Sequence, residues 1–312
     1  MLPVLHRPMI EHVVAPLGRA GVERVVLALG YHHGAFEAAY PDARCAGVEL
    51  CCVAEPEPLD TAGAIRFAYE AAGMGSSDGT FLVANGDVIC DLEISEMLDA
   101  HAAAGAEGTV HLIEVADPSR YGVVVAGPGG RVQSFVEKPE PPAPSRWVNA
   151  GTYLLEPSVI SRVEAGRRVS VEREIFPAMA AAGALWAFRR NTYWVDAGTP
   201  ETYLQVQLDV LDGRRGPPVD AVSPWSSVDP GATVERSVVM AGAVVGAGAV
   251  VRGSAVHSDA VIEAGAVVLD SVVGAGAHIE RGARLSGGTL IGEAHVVAEG
   301  AVLCEARAPE AA

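Results

Sequence analysis

No stretch of this 312-residue chain approaches the roughly 18 to 20 consecutive apolar residues that a membrane span requires. Gly, Pro or a charged residue breaks every hydrophobic run. The opening segment, MLPVLHRPMIEHVV, has no basic leader, no cleavage site, no polar lead-in and no strand of its own, so a secretory signal is not expected and the reading is cytoplasmic. None of the five cysteines, Cys45, Cys51, Cys52, Cys90 and Cys304, belongs to a C-x-x-C pair. Adjacent Cys51 and Cys52 alternate across a strand instead of converging on one metal, and reduced, mostly buried thiols are expected. Charge is sparse, at 20% of residues, and sums to −17. That balance opposes long-range association with nucleic acid or an anionic membrane, but not a small anionic substrate held by a metal and a few cationic side chains.

What the chain does have is apolar material. At 50% hydrophobic residues, it suits one large or two ordinary globular domains. Residues 1–211 alternate short apolar runs (RVVLALG, VELCCVAE, GTFLVANGD, GTVHLIEV) with amphipathic helical stretches (MIEHVVAPLGRAG, TAGAIRFAYEAAG, ISEMLDAHAAAG). This alternation predicts an α/β domain with a mixed, mainly parallel sheet, whose ligands bind where strands end. Gly and Pro mark 212–224 as a linker. Over 225–305 the period becomes about six, with aliphatic residues at Val228, Val234, Val245, Val251, Ile262, Val268, Val273, Ile279, Leu285, Ile291, Val297 and Leu303. A parallel β-helix of hexapeptide repeats accounts for that period, although steps of five, such as Val268 to Val273, interrupt it. Its expected role is stacking and homo-oligomerisation. An acyltransferase reading has His257, His278 and His295 available, but no inserted loop to carry a catalytic one. Residues 306–312 read as a tail.

Five segments carry candidate chemistry. FLVANGDVICDL delivers Asn85, Gly86 and Asp87, and YWVDAGTPETYL delivers Asp196 ahead of a helix that Thr199 caps, with Pro200 at its first position. Two carboxylates on Gly-containing loops suit Mg²⁺ bridging phosphate oxygens. In VQSFVEKPEPPAP, Pro139 is expected to hold Lys138 extended, aiming an ammonium at a phosphate beside the Glu137 carboxylate. WVNAGTYLLEP sets Asn149 before small residues that permit close approach. Finally, VAEPEPLDTAGAI ends a strand at Glu55 and turns through Pro58 into a helix near Thr61, which Asp60 is able to cap and where one wall of a purine pocket is expected.

Together with YGVV and VSVEREIFP, these segments resemble the sugar-1-phosphate nucleotidyltransferases. The likeness is greatest to the mannose-1-phosphate guanylyltransferase branch, which has a Rossmann-like domain and a carboxy-terminal left-handed β-helix. The resemblance implies transfer of a nucleotidyl group from an NTP to a sugar 1-phosphate, giving an NDP-sugar and pyrophosphate. By motif it makes Asp87 and Lys138 catalytic, and assigns the metal to Asp87 and Asp196. It assigns the nucleotide to Glu55, Pro58, Thr61, Ala62, Asn85 and Gly86, and the sugar phosphate to Gly122, Glu137, Lys138 and Asn149. A carboxylate at Glu55 accepts from guanine N1–H and N2–H₂ together, which favours GTP.

Two departures stand out. Asp60 occupies a turn position that is usually Gly. The family's first strand, its G-G-x-G-T-R-L loop and a Pro-Lys-Pro segment would all precede Leu2 and are not among these residues, so the resemblance implies an N-terminally incomplete domain. The expectation is therefore weak or absent activity for the chain as it stands, with a natural form about 25 residues longer. The rival expectation is a non-catalytic nucleotide-sugar-binding relative that regulates or scaffolds a partner.

Overall fold

The computed structural model of the chain describes residues 1–30, 33–75, 79–217 and 219–309. Pro218 of the expected linker and residues 310–312 of the expected tail lie outside the described residues. By compactness the chain forms two units, Met1 with Ile10–Trp194, and Leu2–Met9 with Val195–Ala312. Among the described residues no helix is long and apolar enough to cross a membrane.

Every apolar run read as a strand forms one. The first unit contains β1 (Arg24–Leu29), β2 (Val48–Ala54), β3 (Phe81–Ala84), β4 (Gly108–Glu114), β5 (Gly122–Ala126), β6 (Val132–Glu137), β7 (Trp147–Leu155) and β8 (Leu185–Arg189). Between them run α1 (Met9–Arg19), α2 (His33–Ala39), α3 (Asp60–Ala71), α4 (Ile94–Ala104) and α5 (Phe176–Ala181). The sheets are mixed, as expected, but the balance favours antiparallel pairing. β7 runs antiparallel to β3, β4 and β5, and β5 to β6, whereas β1–β2 and β4–β8 are parallel. One of these pairs follows from its connection: β5 and β6 are joined by a short turn, which returns a strand antiparallel. Among the described residues β1 pairs only with β2 and β3 only with β7, so each is joined to a sheet along one edge.

The main core lies around Phe135, Tyr153, Phe176, Met179 and Leu185. Phe176 is fully buried and meets the Tyr153 ring edge-on at 4.9 Å. Each such side chain contributes about 1.5–3 kcal/mol of burial, and this cluster fixes the strand ends that carry the polar residues. The cysteines are all free, but the expectation of mostly buried thiols is corrected: only Cys45 is buried, and Cys304, near the last coil's edge, is exposed.

The second unit is a parallel β-solenoid of three five-stranded sheets. Val228, Val245, Ile262 and Ile279 align in successive coils, 17 residues apart. A coil of 17 cannot be three hexads, and the steps of five are its systematic short side: Val234 to Val239, Val251 to Val256 and Val268 to Val273. The fourth coil takes 18 residues, its extra one lying in the left-handed pair Gly287–Gly288. A ladder of buried hydroxyls closes the short side: Ser254 N donates to Ser237 Oγ and Ser271 N to Ser254 Oγ, each at 3.1 Å. Helix α6 (Pro200–Leu211) packs on the face that opens with Val238–Val239. The opening hairpin, Pro3–Val4 against Arg7–Pro8, docks on α6 in the same unit. Leu5 N donates to Gln207 Oε1 (2.6 Å), Gln207 Nε2 donates to Pro3 O (2.7 Å), and Tyr203 OH stands 3.0 Å from His257 Nε2.

Candidate active site

Asn85, Gly86 and Asp87 form the exposed turn after β3. The turn is anchored where Asn85 N donates to Gly151 O at 2.9 Å. Gly151 has φ +77°, and a Cβ there would lie 2.9 Å from Asn85 Nδ2 and 3.0 Å from its Cγ, so both the conformation and the space demand glycine. Two motifs 66 residues apart are thus interlocked. Asn149 stands at an irregularity in β7, whose register with β4 shifts between Asn149 and Tyr153. Its Oδ1 accepts from Gly151 N (2.9 Å) and its Nδ2 donates to Tyr153 OH (2.8 Å). The amide therefore shapes the bulge, a role not foreseen from sequence.

Gly122 pairs with Glu137 across the β5–β6 hairpin. A Cβ on Gly122 would come within 2.7 Å of the Phe135 ring and 2.9 Å of Glu137 Oε2, so this glycine makes room for the carboxylate. Burial, and then the nearby Glu172 carboxylate, push the Glu137 carboxyl above its usual range, with Lys138 and Arg173 opposing. Lys138 Nζ lies 3.8 Å from Glu137 Oε1 and is mostly exposed. The expected extended conformation of Lys138 is corrected: φ is +47°, in the left-handed region. Proline excludes the right-handed helical region for its predecessor but does not choose among the others. Here Lys138 N donates to Tyr121 O at 3.0 Å, and the hairpin end decides. Lys138 is also the chain's only lysine, against 21 arginines.

The turn from β2 into α3 is tightly made. Leu59 N donates to Glu55 Oε2 (3.1 Å), and Thr61 N to Asp60 Oδ1 (2.8 Å). Asp60 has φ +60°, which explains why glycine suits the position and why Asp, tolerant of that region, can replace it. Pro58 is exposed, whereas Ala62 is buried and its N–H donates to Val169 O. The Thr61 hydroxyl accepts from Val171 N (2.8 Å) and donates to Glu172 Oε2 (2.7 Å), which Ser170 Oγ also reaches at 2.8 Å. Ser170 and Glu172 are new members of the site. Their motif, VSVEREIFP, is visible in the sequence, but nothing local marks either residue for a role.

Tyr153 is the buried hub. Desolvation pushes its phenol far above the usual range, and the charges of Glu172, Glu137 and Asp87 add to this, while the Asn149 bond opposes it. The charges of three carboxylates on three chain segments therefore bear on one phenol. Asp196 belongs to the second unit, where its Oδ1 accepts from Gly198 N (3.0 Å) and α6 starts as expected: Thr199 caps Thr202 N, with Pro200 at the first position. Among the described residues no group of three or more His, Cys, Asp and Glu has metal-binding geometry.

The family described as nucleotidyl transferase matches residues 1–213, and the domain described as the GMPPB C-terminal domain matches 218–308. The mannose-1-phosphate guanylyltransferase of Mycobacterium tuberculosis is 35% identical over 249 residues, 77% of this chain and 68% of that protein. The mannose-1-phosphate guanyltransferase of Hypocrea jecorina is 41% identical over 204 residues, covering 64% of this chain and 54% of its own. The chain thus spans between about half and two thirds of these relatives' length. The crystal structure of HddC from Yersinia pseudotuberculosis, also solved in complex with GMP-PN, aligns with a TM-score of 0.57 at 26% identity, over 66% of this chain and 87% of that one.

Proposed function

The chain belongs to the nucleotidyl transferase family, and we propose that it transfers the guanylyl group of GTP to mannose 1-phosphate, releasing pyrophosphate. The observation that carries this reading is the convergence of three motifs on Tyr153: Asn149 bonds its hydroxyl, Asp87 and Glu137 act on it by charge, and Lys138 stands beside Glu137, each motif on a chain segment locked by backbone hydrogen bonds or a required glycine. The names of the relatives support the choice of GTP and mannose 1-phosphate.

In this reading a phosphate oxygen of the sugar 1-phosphate forms a bond to the nucleotide's α-phosphorus as the bond from that phosphorus to the β-phosphate oxygen breaks. The protein forms no covalent bond, so its residues act by positioning and by charge. The Lys138 ammonium, steadied by Glu137, pairs with the sugar phosphate. Glu137 and Asn149 orient the sugar, and Gly122 leaves room for the Glu137 carboxylate. Pro58, Thr61, Ala62, Asn85 and Gly86 shape the nucleotide side. The free lone pairs of Glu55 read the guanine edge, while one of its oxygens holds the turn through Leu59 N.

By motif, Asp87 is assigned to a divalent cation, Mg²⁺. The fit is chemical: an exposed carboxylate on a Gly turn is a hard oxygen donor of the kind such an ion accepts while keeping several waters. When bound, the ion neutralises phosphate charge. Assembly into homo-oligomers through the solenoid is also proposed. The test of the reaction is formation of GDP-mannose and pyrophosphate from GTP and mannose 1-phosphate, with UTP and dTTP in parallel. Binding of both substrates without product would favour the non-catalytic relative, and a preference for UTP or dTTP would overturn the role given to Glu55.

A further inference from the structure

We propose that Thr61 is a positioning residue that couples the two halves of the site, so that filling the nucleotide side changes affinity on the sugar side. This deepens the transfer reading above and rests on it. Two segments more than a hundred residues apart are zipped together here. Val169 N donates to Leu59 O (3.0 Å), while Ala62 N and Gly63 N both donate to Val169 O (2.9 and 3.2 Å). A Cβ on Gly63 would lie 2.8 Å from Arg167 O, so the segments touch without slack. Close-packed elements of this kind transmit displacement instead of absorbing it.

The backbone bonds lay the segments side by side, but the Thr61 side chain makes the link that reaches a charged group. It accepts from Val171 N and donates to Glu172 Oε2, while the Ser170 hydroxyl holds the same oxygen. The segment carrying Glu172 (Val171–Ile175) packs against β6, which ends at Glu137, and its charge also bears on Glu137 and Tyr153, the groups around the sugar phosphate. Asp60, in the left-handed region immediately before Thr61, is the point about which the nucleotide-side turn is set. A base settling on that turn therefore moves the hydroxyl that orients Glu172, and a sugar held by the Glu172 side moves it in return. Such coupling is reciprocal by thermodynamic necessity.

The test is calorimetric titration of the full chain with mannose 1-phosphate, without and with a saturating GTP analogue whose α and β phosphates are joined by a methylene group, so that no turnover occurs. In the unmodified protein the analogue is expected to change sugar-phosphate affinity by between about fivefold and 150-fold, the usual span for coupled sites. Thr61→Val keeps the volume and removes the hydroxyl. It is expected to bring that factor close to one, whatever it does to the affinity for the analogue, which is kept saturating in the titration. Thr61→Ser restores the coupling, and Thr61→Ala gives the Val result should the Val protein misfold. Coupling that survives in Thr61→Val and Thr61→Ala, or that is missing from the unmodified protein, overturns the inference. Failure of the unmodified protein to bind either ligand overturns the transfer reading, and the inference falls with it.

Discussion

The two units solve the problem of specifying contacts in opposite ways. In the solenoid each inward residue meets its equivalent one coil away, so Val245, Ile262 and Ile279 stack at a constant separation and every coil is bounded by copies of itself. In the mixed-sheet unit nothing repeats. Asn85 needs Gly151, Thr61 needs Val171 and Glu172, and Gly122 needs Phe135 and Glu137, each by a separate close contact. Periodicity makes stability uniform and leaves little room for a specific pocket. Irregularity makes a pocket, and each of its parts then depends on a distant one.

The largest effects should test uniformity. Ile262→Ala and Ile279→Ala each delete a fully buried side chain between stacked neighbours, and each should cost about 2–5 kcal/mol. In a true repeat the two costs should agree within about 0.5 kcal/mol, the tolerance to which independent sites compare. Chemical denaturation of the full chain gives both numbers, and costs that differ widely would break the comparison.

A substitution in the irregular unit should do the reverse, sparing stability and removing function. Lys138 is mostly exposed at its ammonium, so Lys138→Ala should leave the melting temperature nearly unchanged. Turnover should fall about 100- to 1000-fold, as for loss of one preorganised charged or polar partner. Lys138→Arg should not restore it, because a planar fork does not replace a compact ammonium. Since Lys138 is the only lysine, an amine acetylating reagent should modify it and the chain's amino terminus alone, and peptide mass mapping would follow both labelling and loss of activity.

A smaller effect separates conformation from chemistry. Asp60 sits at φ +60°, so Asp60→Gly should be near neutral, whereas Asp60→Val should destabilise by about 1–2 kcal/mol, the left-handed penalty of a side chain unsuited to it. Equal melting temperatures for the two variants would show that this position makes no conformational demand.

The smallest expected effects are opposite pH slopes. Burial pushes His257 in the second unit down to about 4 from 6.5. Its neutral form is the one the fold accepts, so its contribution is complete above about pH 6.5 and is lost as pH falls toward 4. Glu137 in the first unit is pushed up, so the fold favours its protonated form. Its contribution is complete below the ordinary value of 4.5 and is lost as pH rises through the raised value. Hydrogen exchange read separately over 244–297 and 108–155 should show the first region loosening in acid. Glu137→Gln should raise protection in the second at neutral pH while weakening sugar-phosphate binding. A fall in protection there would mean that the carboxylate is fully compensated in the fold.

Much of this was legible in the sequence. Period, strand runs and the Thr199–Pro200 helix start are written in residues next to each other, and local rules read them. The motifs carrying Asp87, Glu137, Lys138 and Asn149 were also visible, because each is short and ends an apolar run. The Lys138 backbone is not legible there, because a proline rule excludes one conformation without selecting among the rest, and the selection comes from Tyr121 across the hairpin. The short side of the coil looked like an irregularity until the register showed it in successive turns.

The sequence by itself determined which residues alternate, cap, repeat and end strands, since those properties depend on neighbours a few bonds away. Only the tertiary structure decided that β7 is the antiparallel hub of its sheet, that Asn149 shapes the bulge it sits in, and that Thr61 joins two distant segments through Glu172. Those facts depend on which distant backbone groups come within hydrogen-bonding distance. No local preference encodes that, because the partners are chosen by packing the whole core at once.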